Sequence, residues 1–180
     1  MKIKLEWLTA AFTGVIAVTG ICALRYAEGQ IRQARDEALV QHLIALDKEY
    51  NSEPLKTYRK VCAQKRLAGE EEPDEEVELV NFFETVALLA NKGELKDEDV
   101  WETFSPVIFP LYADDRDNIE QDRKEDHADY QNLVLLVPRL EAIDEAHNGS
   151  GTSPSKDAIH LFWESEAQLG VTRHRQTNAK

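Results

Sequence analysis

Two Asp-x-x-His pairs, Asp144/His147 and Asp157/His160, are the residues whose types and spacing come nearest to metal ligation in this chain. On a helix, positions i and i+3 share a face, so each pair could offer a carboxylate oxygen and an imidazole nitrogen to one ion. A carboxylate-bridged di-metal bundle also needs Glu-x-x-His on two helices and two further glutamates, and that motif is absent. Both pairs border a Gly/Ser-rich stretch where caps and solvated faces put polar residues anyway, so no metal and no cofactor is expected.

Arg123 and His127 lie one helical turn apart among acids, the ingredients of an RNA-cleaving pair. The usual spacing of such a pair is wider than the three residues between them and narrower than the seven between Arg139 and His147. The surrounding negative charge would also oppose an RNA backbone. Asp114 to Asp126 lack the glycine and distant glutamate of a calcium loop. G-x-S-x-G, P-loop, G-x-G-x-x-G and C-x-x-C motifs are absent. Cys62 lies between Arg59 and Arg66, which could lower its pKa, but one thiol in a helix is more often simply packed. Asn148-Gly149-Ser150 is a formal glycosylation acceptor. No catalytic residue is expected.

Charge narrows the partners. The chain of 180 residues carries 21 Lys/Arg against 34 Asp/Glu, a formal charge of -13. Residues 1–50 are balanced at six each, residues 51–147 have eleven basic against 25 acidic, and residues 148–180 have four against three. A nucleic-acid binder needs a dense cationic face to release condensed counterions, and this acidic middle would repel a polyanion. The two cysteines, Cys22 and Cys62, are too few for a disulfide framework.

From Trp7 to Leu24 eighteen residues pass without a charge, bracketed by Lys2, Lys4, Glu6 and Arg25. Threonine is their most polar residue, so a polar stripe is missing, and a transmembrane helix is expected. No A-x-A site follows and Ile21 precedes Cys22, which favours an uncleaved signal anchor over a signal peptide. Ala10, Thr13, Gly14, Ala17 and Gly20 recur at three- and four-residue spacing, a small-residue face where a second membrane helix could approach closely.

The expected fold class is all-α: this transmembrane helix continues into a stalk, followed by a small helical bundle. The expected divisions are an anchor over 1–24, a stalk and acidic bundle over 25–147, a flexible linker over 148–155, a short helix over 156–170 and a disordered tail over 171–180. Gly29 is the expected bend in the stalk. Ser52 and Pro54 read as cap and first turn of a second helix ending near Gly69. That helix carries Lys56, Arg59, Lys60, Lys65 and Arg66 and no acid, whereas Glu70 to Glu78 hold seven acids in nine positions. Lys56, Arg59 and Lys60 are expected as lipid-headgroup contacts, the alternative being that the basic helix and the acidic run are two solvated faces that pair with each other or with nothing. Pro73 and its following acids start a third helix whose Val80, Phe83, Val86, Ala87 and Ala90 form the centre of the core, with a stop at Gly93. Asp97 caps a fourth that Pro106 and Pro110 kink or break. The acids from Asp114 open one long helix holding its spacing across Pro138. Trp101, Phe104, Phe162 and Trp163 are expected in the core.

The single amino-terminal span, the apolar helix ending at Gly93, the following L-K-D-E-D-V-W-E-T-F and the acidic helix into Tyr130 to Leu140 resemble a bacterial group of small membrane-anchored helical proteins defined as a domain of unknown function. The likeness covers Glu6 to Glu145 and implies an architecture and no activity. The plan is also similar to CRISPR-associated membrane proteins that carry a divergent HEPN-like helical domain and assemble into pores. The Arg-to-His spacing departs from the nuclease pattern. The resemblance places the chain in a bacterial inner membrane as a single-pass protein, and the lone thiol outside the span and the acidity place its domain in the cytoplasm. The expectation is a non-enzymatic scaffold or partner-binding protein, whose partners are the lipid bilayer and an unidentified protein, with no nucleic acid. The alternative is a homo-oligomeric channel or defence effector assembled through the amino-terminal helix.

Overall fold

A computed structural model describes the backbone of residues 2–70, 73–149 and 153–170, and the side chains of those residues from 23 onward. The described residues form seven helices and no strand, as an all-α fold requires: α1 Lys2–Tyr50, α2 Leu55–Leu67, α3 Asp74–Asn91, α4 Asp97–Asp114, α5 Arg116–Glu125, α6 Gln131–Asn148 and α7 Lys156–Ala167. They divide into two compact units, residues 1–41 and residues 42–180.

The described part of the first unit is a single helical segment. Trp7 to Leu24, the expected span, lies almost wholly among residues whose side chains are outside the described set, as do Ala10, Thr13, Gly14, Ala17 and Gly20. Among the described residues no helix is long and apolar enough to cross a membrane. Gly29, the weak point expected in the stalk, does not interrupt the helix: α1 runs through it. One glycine costs a helix only about 1 kcal/mol relative to alanine. Here the Arg32 guanidinium reaches back over that position to Glu28 at 2.6 Å, and Gln33 donates to Glu37 at 2.9 Å.

The second unit holds the core. α3 supplies its centre, with Leu79, Val80, Phe82, Phe83, Val86, Ala87 and Ala90 buried at helical spacing. It packs against α2, α4 and α6, and α7 lies across α2 and α4. Tyr50, Phe82, Phe83 and Phe104 form one aromatic cluster with centroid separations from 5.1 to 6.2 Å, mostly edge-to-face. α3 stops where expected. Gly93 takes φ +71° while the amide of Glu94 donates back to Leu89 O at 2.9 Å.

Three expectations about the elements are corrected. Ser52 does not cap α2; its hydroxyl donates to Glu49 O and closes α1 instead. Of the kink or break expected at Pro106 and Pro110, the break is excluded, since both lie inside α4, which continues to Asp114. Each proline removes one N–H, and the carbonyls left over belong to Glu102 and Pro106, both exposed, where water can satisfy them. The long helix expected from Asp114 is two helices. Asp126 accepts the amide of Ala128 at 2.8 Å in a local turn, Tyr130 adopts φ +50°, and α6 starts afresh at Gln131.

α7 packs into the core, as expected of Trp163. Ser155 Oγ caps it by accepting from the amide of Ala158, and Trp163 and Glu166 are buried. Within the expected linker, residues 150–152 are outside the described set, as is the expected tail, 171–180.

Candidate functional site

The turn between α2 and α3 is short, so the last turn of basic α2 lies beside the acidic first turn of α3. Lys65 pairs with Glu75 at 2.8 Å and with Glu70 at 3.6 Å, and Arg66 pairs with Glu76. The reversal of polarity seen in the sequence is resolved here as mutual pairing. Arg66 goes further. Its Nε also lies 3.4 Å from Asp114 Oδ2 and its Nη2 3.5 Å from Asp115 Oδ1, so one guanidinium serves three carboxylates. Trp163 Nε1 donates to Asp114 at 2.8 Å and Asn118 Nδ2 to Asp115 at 2.8 Å, which brings α7 and α5 to the same point.

Glu76 is 3% exposed and Asp115 7%. Burial, together with the neighbouring Asp115 charge, pushes the Glu76 carboxyl up to about 8 despite Arg66. Burial also raises Asp115 to about 6, against the hydrogen bond from Asn118 and the Arg66 charge. A cleft of about 260 Å³ opens beside them, lined by Asp74, Glu76, Asp115, Asn118, Asp122 and Tyr130 among others. Buried carboxylates with raised pKa values beside a cleft are what acid–base chemistry would use. Here Glu76 is tied to Arg66 and Asp115 to Asn118, so the arrangement holds a proton inside a structural joint.

The residues singled out in the sequence are dispersed. Arg59 is corrected: it does not present its charge to a lipid surface but is 6% exposed. Its Nε and Nη2 donate to both oxygens of Glu166 at 2.6 and 3.0 Å, and Nη1 donates to Tyr50 O at 3.1 Å. The guanidinium also lies 3.7 Å from the Tyr50 ring centroid. Lys56 and Lys60 are half-buried on the same helix. Cys62 is fully buried, and burial with the Glu76 charge pushes its thiol well above the ordinary range, opposite to the activation that Arg59 and Arg66 suggested.

Asp144 accepts from Trp101 Nε1 at 3.2 Å and from Asn148 at 2.8 Å, while His147 stacks on Trp101 at 4.7 Å between centroids. Asp157 and His160 are exposed on α7, His160 lying 3.5 Å from Glu164. Among the described residues no group of three or more His, Cys, Asp or Glu side chains is placed to hold a metal ion. Arg123 donates to Asp129 O, His127 faces Arg123 O at 2.6 Å, and both sit at the carboxyl end of α5. Arg139 forks onto Asp97 at 2.8 and 3.0 Å and donates to Asn91 at 2.8 Å.

Sequence reasoning missed the buried Arg59–Glu166 pair, separated by 107 residues, and the role of Glu84. The Glu84 carboxylate accepts the amides of Asn132 and Leu133 at 3.0 and 2.8 Å and so starts α6 from across the bundle. Neither has a local signal. No protein-family model, curated protein or solved structure matches the chain.

Proposed function

We propose that the chain is a membrane-anchored, non-enzymatic helical scaffold or partner-binding protein, held in a bacterial inner membrane by Trp7 to Leu24 with its domain in the cytoplasm. The observation that carries the reading is the state of α1 just beyond that stretch. Residues 23–38 are exposed without exception, including Leu24 at 73%, Tyr26 at 70% and Ile31 at 69%. A helical stretch that buries nothing draws little stability from its own turns and is expected where its end is fixed in a bilayer or its apolar residues meet another chain. A non-catalytic role is supported by the engagement of the buried ionic side chains in joints between helices. Lys56 and Lys60 stay as the proposed headgroup contacts.

The test is alkaline carbonate extraction of membranes carrying the full chain or the variant Ile16→Asp/Val18→Asp. The wild type should stay with the bilayer and the variant should be released; a wild type released by carbonate removes the anchor.

One observation favours the alternative, a homo-oligomeric channel or effector. Leu24, Ala27, Ile31, Ala34 and Ala38 alternate at three and four residues, and the same register runs back through Gly20, Ala17, Thr13 and Ala10. This is the repeat of a helix seam with small residues for close approach. Light scattering of the detergent-solubilised chain beside Gly14→Leu/Gly20→Leu decides it. A defined oligomer lost in the variant supports assembly through α1 and calls for conductance measurements, and a monomer in both excludes the channel.

A further inference from the structure

We propose that residues 171–180 of this chain dock in an acidic-rimmed groove formed by the end of α1, the start of α2 and the outer face of α3. The groove has a volume of about 440 Å³. Leu46, Leu55, Tyr58 and Phe82 make its apolar floor, Glu49, Glu53 and Glu78 stand on its rim, and among the described residues no Lys or Arg lines it. The three glutamates are exposed, so the groove presents a negative edge over a greasy base to whatever enters it. That surface suits a short cationic segment with few bulky side chains.

The chain supplies such a segment and delivers it to the right place. Residues 171–180 read V-T-R-H-R-Q-T-N-A-K, with Arg173, Arg175, Lys180 and His174 and no acid. α7 ends at Ala167, and its Glu166 grips Arg59. Arg59 in turn donates to Tyr50 O and lies within 3.4 Å of Asn51 Oδ1, the two residues immediately before Ser52 and Glu53 in the groove wall. The helix that precedes the segment is thus tied by an ion pair to the two residues that lead into the groove wall. Ten extended residues reach about 33 Å, ample to cross it. The basic character of the carboxyl-terminal stretch, otherwise without an assignment, thereby acquires a counterpart within the same folded unit. Docking there would cover the junction of three helices and withdraw the groove from other cationic chains.

Amide hydrogen exchange of residues 172–179 in the full-length protein, in a neutral detergent, tests the proposal. Exchange should be slowed about tenfold relative to an unstructured peptide of the same sequence. Glu53→Lys/Glu78→Lys should abolish that protection while the helical circular dichroism stays unchanged, since both side chains are exposed. Arg173→Glu/Arg175→Glu should abolish it from the other side, and combining the two reversals should restore it. Exchange at the unstructured rate in the wild type overturns the proposal, as does protection that survives both reversals. Protection that fades on dilution would place another copy's segment in the groove and overturn the intramolecular reading.

Discussion

Glu76 is an acid whose burial reverses the usual sign of its pH dependence. Its carboxyl titrates at about 8 in the folded protein against an ordinary value of 4.5, so between those limits the native state holds a proton that the unfolded chain releases. Stability from this group is therefore greatest below the unfolded value and is lost as pH rises through the folded one. Asp115, raised to about 6 from 3.8, acts in the same direction at lower pH. Urea midpoints should fall between about pH 4.5 and about pH 8, and Glu76→Gln, which stays neutral and can still accept from Arg66, should flatten that fall. An equal fall in the variant would place the titrating proton elsewhere. Arg59 and Glu166 make a second residue-scale case. Arg59→Leu strands a carboxylate that is buried among helices, and should cost about 3–5 kcal/mol in urea unfolding. The double change Arg59→Met/Glu166→Leu should cost much less, because it removes both desolvated charges together.

At the scale of elements, starts and stops depend on which groups happen to meet. The apolar face of α3 was legible because a run of Val, Leu, Phe and Ala at helical spacing has one way to be buried, and Gly93 marked its end by a conformation that other residues resist. The continuity of α4 through two prolines was not legible, since it depends on whether the freed carbonyls face water. The break before α6 was hidden for a related reason: its first amides are satisfied by Glu84, 48 and 49 residues away in sequence. Glu84→Ala should cost about 1–2 kcal/mol and should speed exchange of the Asn132 and Leu133 amides ahead of the rest of α6. Uniform acceleration along α6 would instead mean that Glu84 acts through the whole bundle. On α2, Lys56→Glu/Lys60→Glu should reduce co-sedimentation of the protein with vesicles rich in phosphatidylserine relative to neutral vesicles, and equal binding to both would end the headgroup assignment.

For the whole molecule, the core cluster begins at Leu46, with Leu43 packed against it. A chain beginning at His42 should accordingly unfold in one cooperative transition with a midpoint close to that of the full chain, as measured by circular dichroism in urea. A non-cooperative or much weaker transition would show that α1 supports the domain. The 31% of charged residues behaves in two ways at this scale. Some charges cover the surface, whereas Arg59, Arg66, Glu76, Asp115 and Glu166 are drawn inside as ties between α2, α3, α5 and α7.

By itself the sequence determined the helical class, the position of the strongest core helix, the uncharged amino-terminal stretch, and the adjacency of a basic helix to the acids that follow it. Each depends on neighbours within a few turns, where spacing alone says which side chains share a face. The tertiary structure alone decided that Arg59 lies buried on Glu166, that three carboxylates converge on Arg66, that Cys62 is enclosed and its thiol kept protonated, and where α6 begins. Those outcomes follow from desolvation and from distances between groups remote along the chain, and neither quantity exists until the helices are packed.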